Sequence, residues 1–155
     1  MNEISIREVK KEDKEQIDLI AGWYFEEWKI SKEYTSKRLK HDSNDDVIFH
    51  LLLYKEDKPV ATGGLFRRVN LLNVYPEFEI FTPWVALLYT TPVSRKLGFG
   101  EILLRKIEEK SKAAGFEKIY LHTFTAERLY LRNNWTPFDK VSYKDHTTVV
   151  MSKEL

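Results

Sequence analysis

Apolar positions along the chain recur with a period of two in some stretches and of three to four in others, and the switches between the two rhythms mark its elements. Residues 4–9 read as a first strand with Ile4, Ile6 and Val9 inward. Asp13, with Gln16 three residues later, is a capping-box signal for a helix running to about Lys29. Ile17, Ile20, Ala21, Tyr24 and Trp28 fall on one side of it. A second, weaker helix is predicted over 33–41. Val47 to Tyr54 and Pro59 to Phe66 read as strands joined through Lys55-Glu-Asp-Lys58, and Gly63-Gly64 predicts a bulge or a close backbone approach in the second. Residues 67–82 carry no regular pattern, with Pro76 and Pro83 as breakers. Trp84 to Thr90 is an uncharged run suited to a buried strand. After it Leu103, Leu104, Ile107, Ser111 and Ala114 recur at helical spacing up to Gly115, a C-terminal stop. A strand at 116–123, a short helix at 126–133 and a closing hairpin of 136–143 and 147–153 complete the order. Hairpin strands followed by strand and helix in alternation predict an α/β (α+β) fold, a mixed sheet with helices on both faces. At 155 residues the chain fits a single domain, 1–155.

Between the uncharged strand and the helix lies the run Thr91-Pro-Val-Ser-Arg-Lys-Leu-Gly-Phe-Gly-Glu-Ile-Leu-Leu, residues 91–104. Gly98 and Gly100 remove two Cβ atoms where the first unpaired N–H groups of the helix point outward. A pyrophosphate held there gains from those donors, from the positive end of the helix dipole, and from Arg95 and Lys96. A dinucleotide-binding pattern would need glycine where Leu103 stands, and no P-loop string occurs. What remains is R-x-x-G-x-G on Arg95, Gly98 and Gly100. A glycine pair before a helix also serves as a plain tight turn.

That string, with the strand before it and Pro92, resembles the coenzyme A pyrophosphate loop of the GCN5-related N-acetyltransferases, the GNAT superfamily. The later segments extend the resemblance. Ala126-Glu-Arg-Leu-Tyr130 matches the family's A-x-x-L-Y, and Tyr130 stands five residues before Trp135, with Asn134 in place of the usual glycine. Asn is the non-glycine residue that best tolerates a left-handed helix end. The Asn often found after the preceding strand has no counterpart near Thr125. The resemblance implies the GNAT fold, a mixed sheet of about seven strands whose fourth and fifth members, at 84–90 and 117–123, begin side by side and then splay. It also implies acetyl-CoA in that gap, its pantetheine along Leu88, Tyr89 and Thr90 and its pyrophosphate on Arg95, Lys96, Leu97, Gly98, Phe99, Gly100 and Glu101. The implied reaction is direct attack of a primary amine, on a small molecule or a peptide, within a ternary complex. A degenerate member that binds acyl-CoA as a sensor or scaffold is the alternative, kept open by the lack of a carboxylate in residues 84–90.

Acyl transfer from a thioester needs a neutral amine, a donor for the developing oxyanion and an acid for the departing thiolate. Tyrosine suits the last role, its pKa of about 10 lying just above a thiol's, about 8.5. Tyr130 is the candidate acid, although an aromatic on a short amphipathic helix is equally an ordinary core residue. For the base the candidates are Glu79, Glu77, Glu27 and His122. His122 titrates nearest neutrality and sits on the splayed strand, and it also fits a structural role. In the family the acceptor approaches between the first helices, the loop before the fourth strand and the closing hairpin, so the resemblance implies acceptor binding at Trp23, Glu27 and Trp84, near Phe25, Glu26 and Trp28. Acidic and aromatic groups together suit a cationic amine, and the same residues fit a core and a solvated helix face.

Composition narrows the remaining classes. There is no cysteine, which removes disulfides, thiolate catalysis and Cys-bound zinc. Twenty-five Lys plus Arg against 24 Asp plus Glu leave a formal charge of +1, with no basic arm for nucleic acid. His41, His50 and His146 lack ligand-like spacing, so no metal is expected. No leader pattern and no long apolar run occur, so a cytoplasmic protein with no membrane contact is expected. Monomer and homodimer stay equally open.

Overall fold

The computed structural model describes residues 3–40 and 46–155; His41 and the end of the helix expected over 33–41 lie outside them. Its elements are β1 (Ile4–Glu8), α1 (Lys14–Trp28), α2 (Lys32–Leu39), β2 (Val47–Lys55), β3 (Lys58–Phe66), α3 (Leu71–Val74), a 3₁₀ turn (Pro76–Ile80), β4 (Trp84–Thr90), α4 (Phe99–Ala113), β5 (Lys118–Thr123), α5 (Glu127–Arg132), β6 (Thr136–Tyr143) and β7 (His146–Glu154). Seven strands form one sheet in the order β1-β2-β3-β4-β5-β7-β6. Among the described residues only β4 and β5 run parallel.

Strand alternation divides the interior between two faces. Leu51, Leu53, Val85, Ile119 and Leu121 pack beneath α4 and α5. Leu52, Tyr54 and Tyr89 pack beneath α1 and α2, and Phe66, Trp84 and Val150 beneath α3 and the 3₁₀ turn. Residues 67–82, expected to be irregular, fold into that short helix and turn because Leu71, Leu72 and Phe78 find burial there. Such burial leaves no periodic trace in a sequence.

The capping box expected at Asp13 does not form. Its carboxylate instead accepts the Lys10 N–H at 2.9 Å, a nearer donor in the tight turn after β1. Ser31, not singled out from the sequence, does cap α2 by accepting the Tyr34 N–H at 3.0 Å.

Two departures from regular pairing shape the middle of the sheet. First, β4 and β5 share one register pair, Trp84 with Tyr120, after which β4 continues with β3 to Thr90 and β5 with β7 to Thr123. The strands therefore part beyond Trp84. Second, between the pairs Gly64–Ala86 and Thr62–Tyr89 β4 has one residue more than β3, and Leu87 takes φ 61°. Gly64 permits the close approach expected of it. A Cβ there would sit 2.7 Å from the Phe49 carbonyl oxygen and 2.6 Å from His50 Nδ1.

Candidate active site

The mouth of the gap is the start of α4. Gly98 is its N-cap at φ 87°, a conformation that L side chains rarely adopt. The first helical bond runs from the Ile102 N–H to the Gly98 carbonyl at 3.1 Å, so the N–H groups of Phe99, Gly100 and Glu101 have no helical acceptor. The Phe99 ring is buried among Leu103, Leu104 and Val85, which pins the helix end to the sheet. Gly100 is different. A Cβ there would meet Thr90 Oγ1 at 3.6 Å, ordinary contact, and the residue is helical. Alanine would favour the helix by up to about 1 kcal/mol, so the contacts within the protein give no reason for glycine. An anion seated against the N–H groups does. The loop thus fits a pyrophosphate.

Arg95 Nε donates to the Thr90 carbonyl at 2.8 Å, and its guanidinium pairs with Glu27 at 3.1 Å and lies 5.5 Å from the Tyr89 ring centre. Trp23 stacks on Tyr89 at 5.4 Å, and Trp28 meets the same ring edge-on at 6.0 Å. One cluster thus joins the end of α1 to the loop before α4, bringing together Trp23, Glu27, Tyr89, Thr90 and Arg95. Lys96 and Leu97 are exposed beside it. The Glu101 side chain turns away. Its carboxylate accepts from Asn133 Nδ2 at 2.8 Å, with Arg132 and Arg105 nearby, and the Asn133 bond is the main cause of a pKa below the usual carboxylate range. What Glu101 offers the loop is its backbone N–H.

Tyr130 is fixed by the end of α5. Asn134 takes φ 69°, the left-handed position expected of it. Trp135 Nε1 donates to Glu108 at 3.0 Å, and Lys153 Nζ reaches Glu108 at 2.6 Å and the Asn133 carbonyl at 2.8 Å. These bonds tie α5 to α4 and β7, and Trp135 holds the Tyr130 ring edge-on at 6.0 Å. Tyr130 is buried, which pushes its phenol up to about 12, so it keeps its proton at neutral pH.

His122 approaches from the other face of the sheet. The rings of Trp84 and Tyr143 stand edge-on to it at 6.2 and 5.7 Å. Burial, with a smaller contribution from Lys144, pushes the imidazole down to about 4 and leaves it uncharged at pH 7. Tyr130 packs with Ile119 and Leu121, whereas His122 shares the face of Trp84. The two candidates flank the gap from opposite sides.

Two expected site residues do not join this arrangement. Trp84 has no exposed surface, and its indole N–H donates to the Phe81 carbonyl at 2.7 Å. It is a core residue at the point where β4 and β5 pair, with no face to offer an acceptor. Glu79 lies on the 3₁₀ turn, pairs with Arg68 at 2.8 Å and is exposed. The same guanidinium holds Asn73, so Glu79 belongs to a surface brace. Sequence reasoning gave no role to His50 and only a core position to Tyr24, yet Tyr24 Oη lies 3.1 Å from His50 Nε2 and 2.7 Å from the Leu87 carbonyl. Nothing in the letters marks Leu87 as a bulge. Among the described residues no group of three His, Cys, Asp or Glu converges on a metal site, and no helix is long and apolar enough to cross a membrane.

A parallel strand pair that parts beside a helix start with unpaired N–H groups is an arrangement suited to an anionic ligand. Residues 14–135 match the acetyltransferase (GNAT) family, and the chain belongs to it: the protein is an acetyltransferase. Its fold is similar to that of an aminoglycoside 6'-N-acetyltransferase complexed with coenzyme A, with TM-score 0.74 and 14% identity over 97% of this chain and 96% of that one. It is similar also to a protein structure from Lactobacillus plantarum, with TM-score 0.71 and 20% identity over 99% of both chains. Naa50 of Arabidopsis thaliana, in complex with the bisubstrate analogue CoA-Ac-MVNAL, aligns with TM-score 0.67 and 16% identity over 98% of this chain and 99% of its own. No curated protein matches the chain in sequence.

Proposed function

We propose that the protein transfers an acetyl group from acetyl-CoA directly to a primary amine within a ternary complex. The observation that carries this reading is Gly100, a glycine in the first turn of α4 that no contact within the protein requires. The N–H groups of Phe99, Gly100 and Glu101, with Leu97 and Gly98 of the turn and the charges of Arg95 and Lys96, are suited to hold the pyrophosphate. The β4 backbone at Leu88, Tyr89 and Thr90, facing the gap, is suited to pair with the pantetheine amides. Bound there, acetyl-CoA supplies an activated thioester carbonyl.

As the amine nitrogen bonds to that carbonyl carbon, the carbon–sulfur bond breaks and Tyr130 gives its proton to the departing sulfur. A phenol that burial keeps protonated at neutral pH is present as an acid and not as a base, and the phenolate left by the transfer recovers a proton from solvent. The amine must attack uncharged and shed a proton. His122, itself uncharged, accepts a hydrogen bond from it and passes the proton to solvent. Trp23 and Glu27 lie where an acceptor would meet the loop, and a carboxylate beside aromatic rings suits a cationic amine. The aminoglycoside enzyme and the Naa50 bisubstrate complex support acceptors of both kinds, small molecules and peptides.

Gly100→Ala tests the reading. Thermal unfolding should show a protein stabilised by up to about 1 kcal/mol, while calorimetry should show acetyl-CoA bound about tenfold more weakly, a loss of about 1.4 kcal/mol. Affinity equal to that of the unaltered protein would refute the pyrophosphate seat.

A further inference from the structure

The bulge in β4 is held by two side chains from outside the strand. Tyr24, with no exposed surface, donates its hydroxyl hydrogen to the Leu87 carbonyl at 2.7 Å. A phenol has one hydrogen to give. Its 3.1 Å contact with His50 must therefore be one in which the imidazole donates from Nε2. That fixes the tautomer and leaves Nδ1 bare. His50 is 1% exposed, and its Nδ1 is a buried polar atom without a partner. It faces Gly64, where a Cβ would come within 2.6 Å. The one hydrogen that Tyr24 can give thus goes to the carbonyl of the residue at φ 61°. In a regular strand that carbonyl would be satisfied by a neighbouring strand.

The bulge decides which side chains meet the ligand gap. Regular alternation would put Val85, Leu87 and Tyr89 on one face. Instead Leu88 joins Val85 beneath α4, and Leu87 and Tyr89 turn to the face of α1. Tyr89 thereby reaches Trp23 and Arg95, and the backbone of 88–90 is rephased just where β4 has left β5.

We propose that Tyr24 and His50 are positioning residues, a buried clamp that holds the β4 bulge and keeps the gap between β4 and β5 in the shape that admits the pantetheine and thioester of acyl-CoA. The clamp rests on the acetyl-CoA reading given above. Neither residue touches the ligand; they act through Leu87.

Tyr24→Phe removes only the hydroxyl and keeps the ring contacts to Trp28 and Tyr89. Two ligands separate the parts of the site: acetyl-CoA, and adenosine 3'-phosphate 5'-diphosphate, which has the pyrophosphate but no pantetheine. In Tyr24→Phe, calorimetry should show acetyl-CoA weakened by at least about tenfold and the nucleotide changed by less than about twofold. Amide exchange across residues 84–91 should quicken at least about tenfold, with the β5–β7 pairs unchanged. His50→Gln keeps a donor near the Nε2 position and should retain most acetyl-CoA affinity, whereas His50→Leu should lose as much as Tyr24→Phe. A merely structural role would rank the two His50 variants by their melting temperatures. Equal weakening of both ligands, unaltered acetyl-CoA affinity, or unaltered exchange in Tyr24→Phe each overturns the clamp. Unaltered protein that binds neither ligand overturns the acetyl-CoA reading instead, and the exchange measurement then decides the clamp by itself.

Discussion

Acid should destabilise this protein well above the pH at which carboxylates titrate, because it holds two imidazoles neutral inside. His50 is pushed down to about 3 by burial, with Arg38 adding to it, and His122 to about 4 by burial, with Lys144 adding to it. In the unfolded chain both titrate near 6.5. Between the folded and unfolded values the unfolded state binds more protons, so stability rises with pH and is lost as pH falls below about 6.5. At pH 5 each imidazole lies about 1.5 units below its unfolded pKa, which costs about 2 kcal/mol per group at 1.36 kcal/mol per unit. His122 keeps some exposed surface and contributes between about 1 and 2 kcal/mol, so the loss from pH 7.5 to 5 is about 3–4 kcal/mol. For a chain of this length that lowers the melting temperature by on the order of 10 °C. Urea titrations followed by tryptophan fluorescence at half-unit pH steps measure it directly. His122→Gln should remove about a third to a half of the slope. Stability that stays flat from pH 7.5 to 5 would refute the buried, neutral state of both rings.

Two further outcomes concern turnover and the cofactor loop. Tyr130→Phe should lower turnover at least about tenfold and leave acetyl-CoA affinity within a few-fold, because it removes a proton donor and no binding surface; unchanged turnover in steady-state kinetics would take Tyr130 out of the mechanism. Glu27→Gln frees Arg95 from a half-exposed ion pair worth at most about 1 kcal/mol. Calorimetry should find acetyl-CoA binding up to about fivefold tighter, and the KM for a cationic amine should rise; weaker acetyl-CoA binding would show that Glu27 aims the arginine instead of withholding it.

The parts legible in the letters were those where local chemistry and tertiary structure agree. The uncharged run at 84–90 is β4 to the residue, and Gly98 and Asn134 stand at the left-handed positions their sequence contexts demand. The hairpin turns at Glu56-Asp57 and Lys144-Asp145 are two-residue turns with positive φ. What could not be read depends on contacts between distant segments. Trp84 carries the same letter whether it lines a groove or fills a core, and only its place under residues 76–81 decides. Asp13 offers its carboxylate to whichever N–H lies nearest, and the turn after β1 supplies one that no spacing rule counts. Tyr24, His50 and Leu87 are separated by 26 and 37 residues, and nothing local marks a leucine at φ 61°.

The sheet is a partition that opens where β4 and β5 cease to pair. α4 and α5 bring the anion seat and Tyr130 to one face, and α1 and β5 bring Trp23, Glu27 and His122 to the other. A group lodged between β4 and β5 is reached from both. On the proposed function the two proton transfers of acyl transfer fall in separate environments: a buried phenol, protonated at neutral pH, on the side of the departing sulfur, and an uncharged imidazole on the side of the incoming amine. Neither residue has to exchange its proton with the other, so each can be tuned by its own burial. The Arg95–Glu27 ion pair links the two sides at the mouth, with Arg95 in the loop before α4 and Glu27 on α1. On the proposed function a pyrophosphate that drew Arg95 toward α4 would leave Glu27 uncompensated, and a cationic acceptor would restore the balance. On this reading loading the donor should strengthen the site for a cationic amine, and an amine affinity unchanged by saturating coenzyme A would refute it.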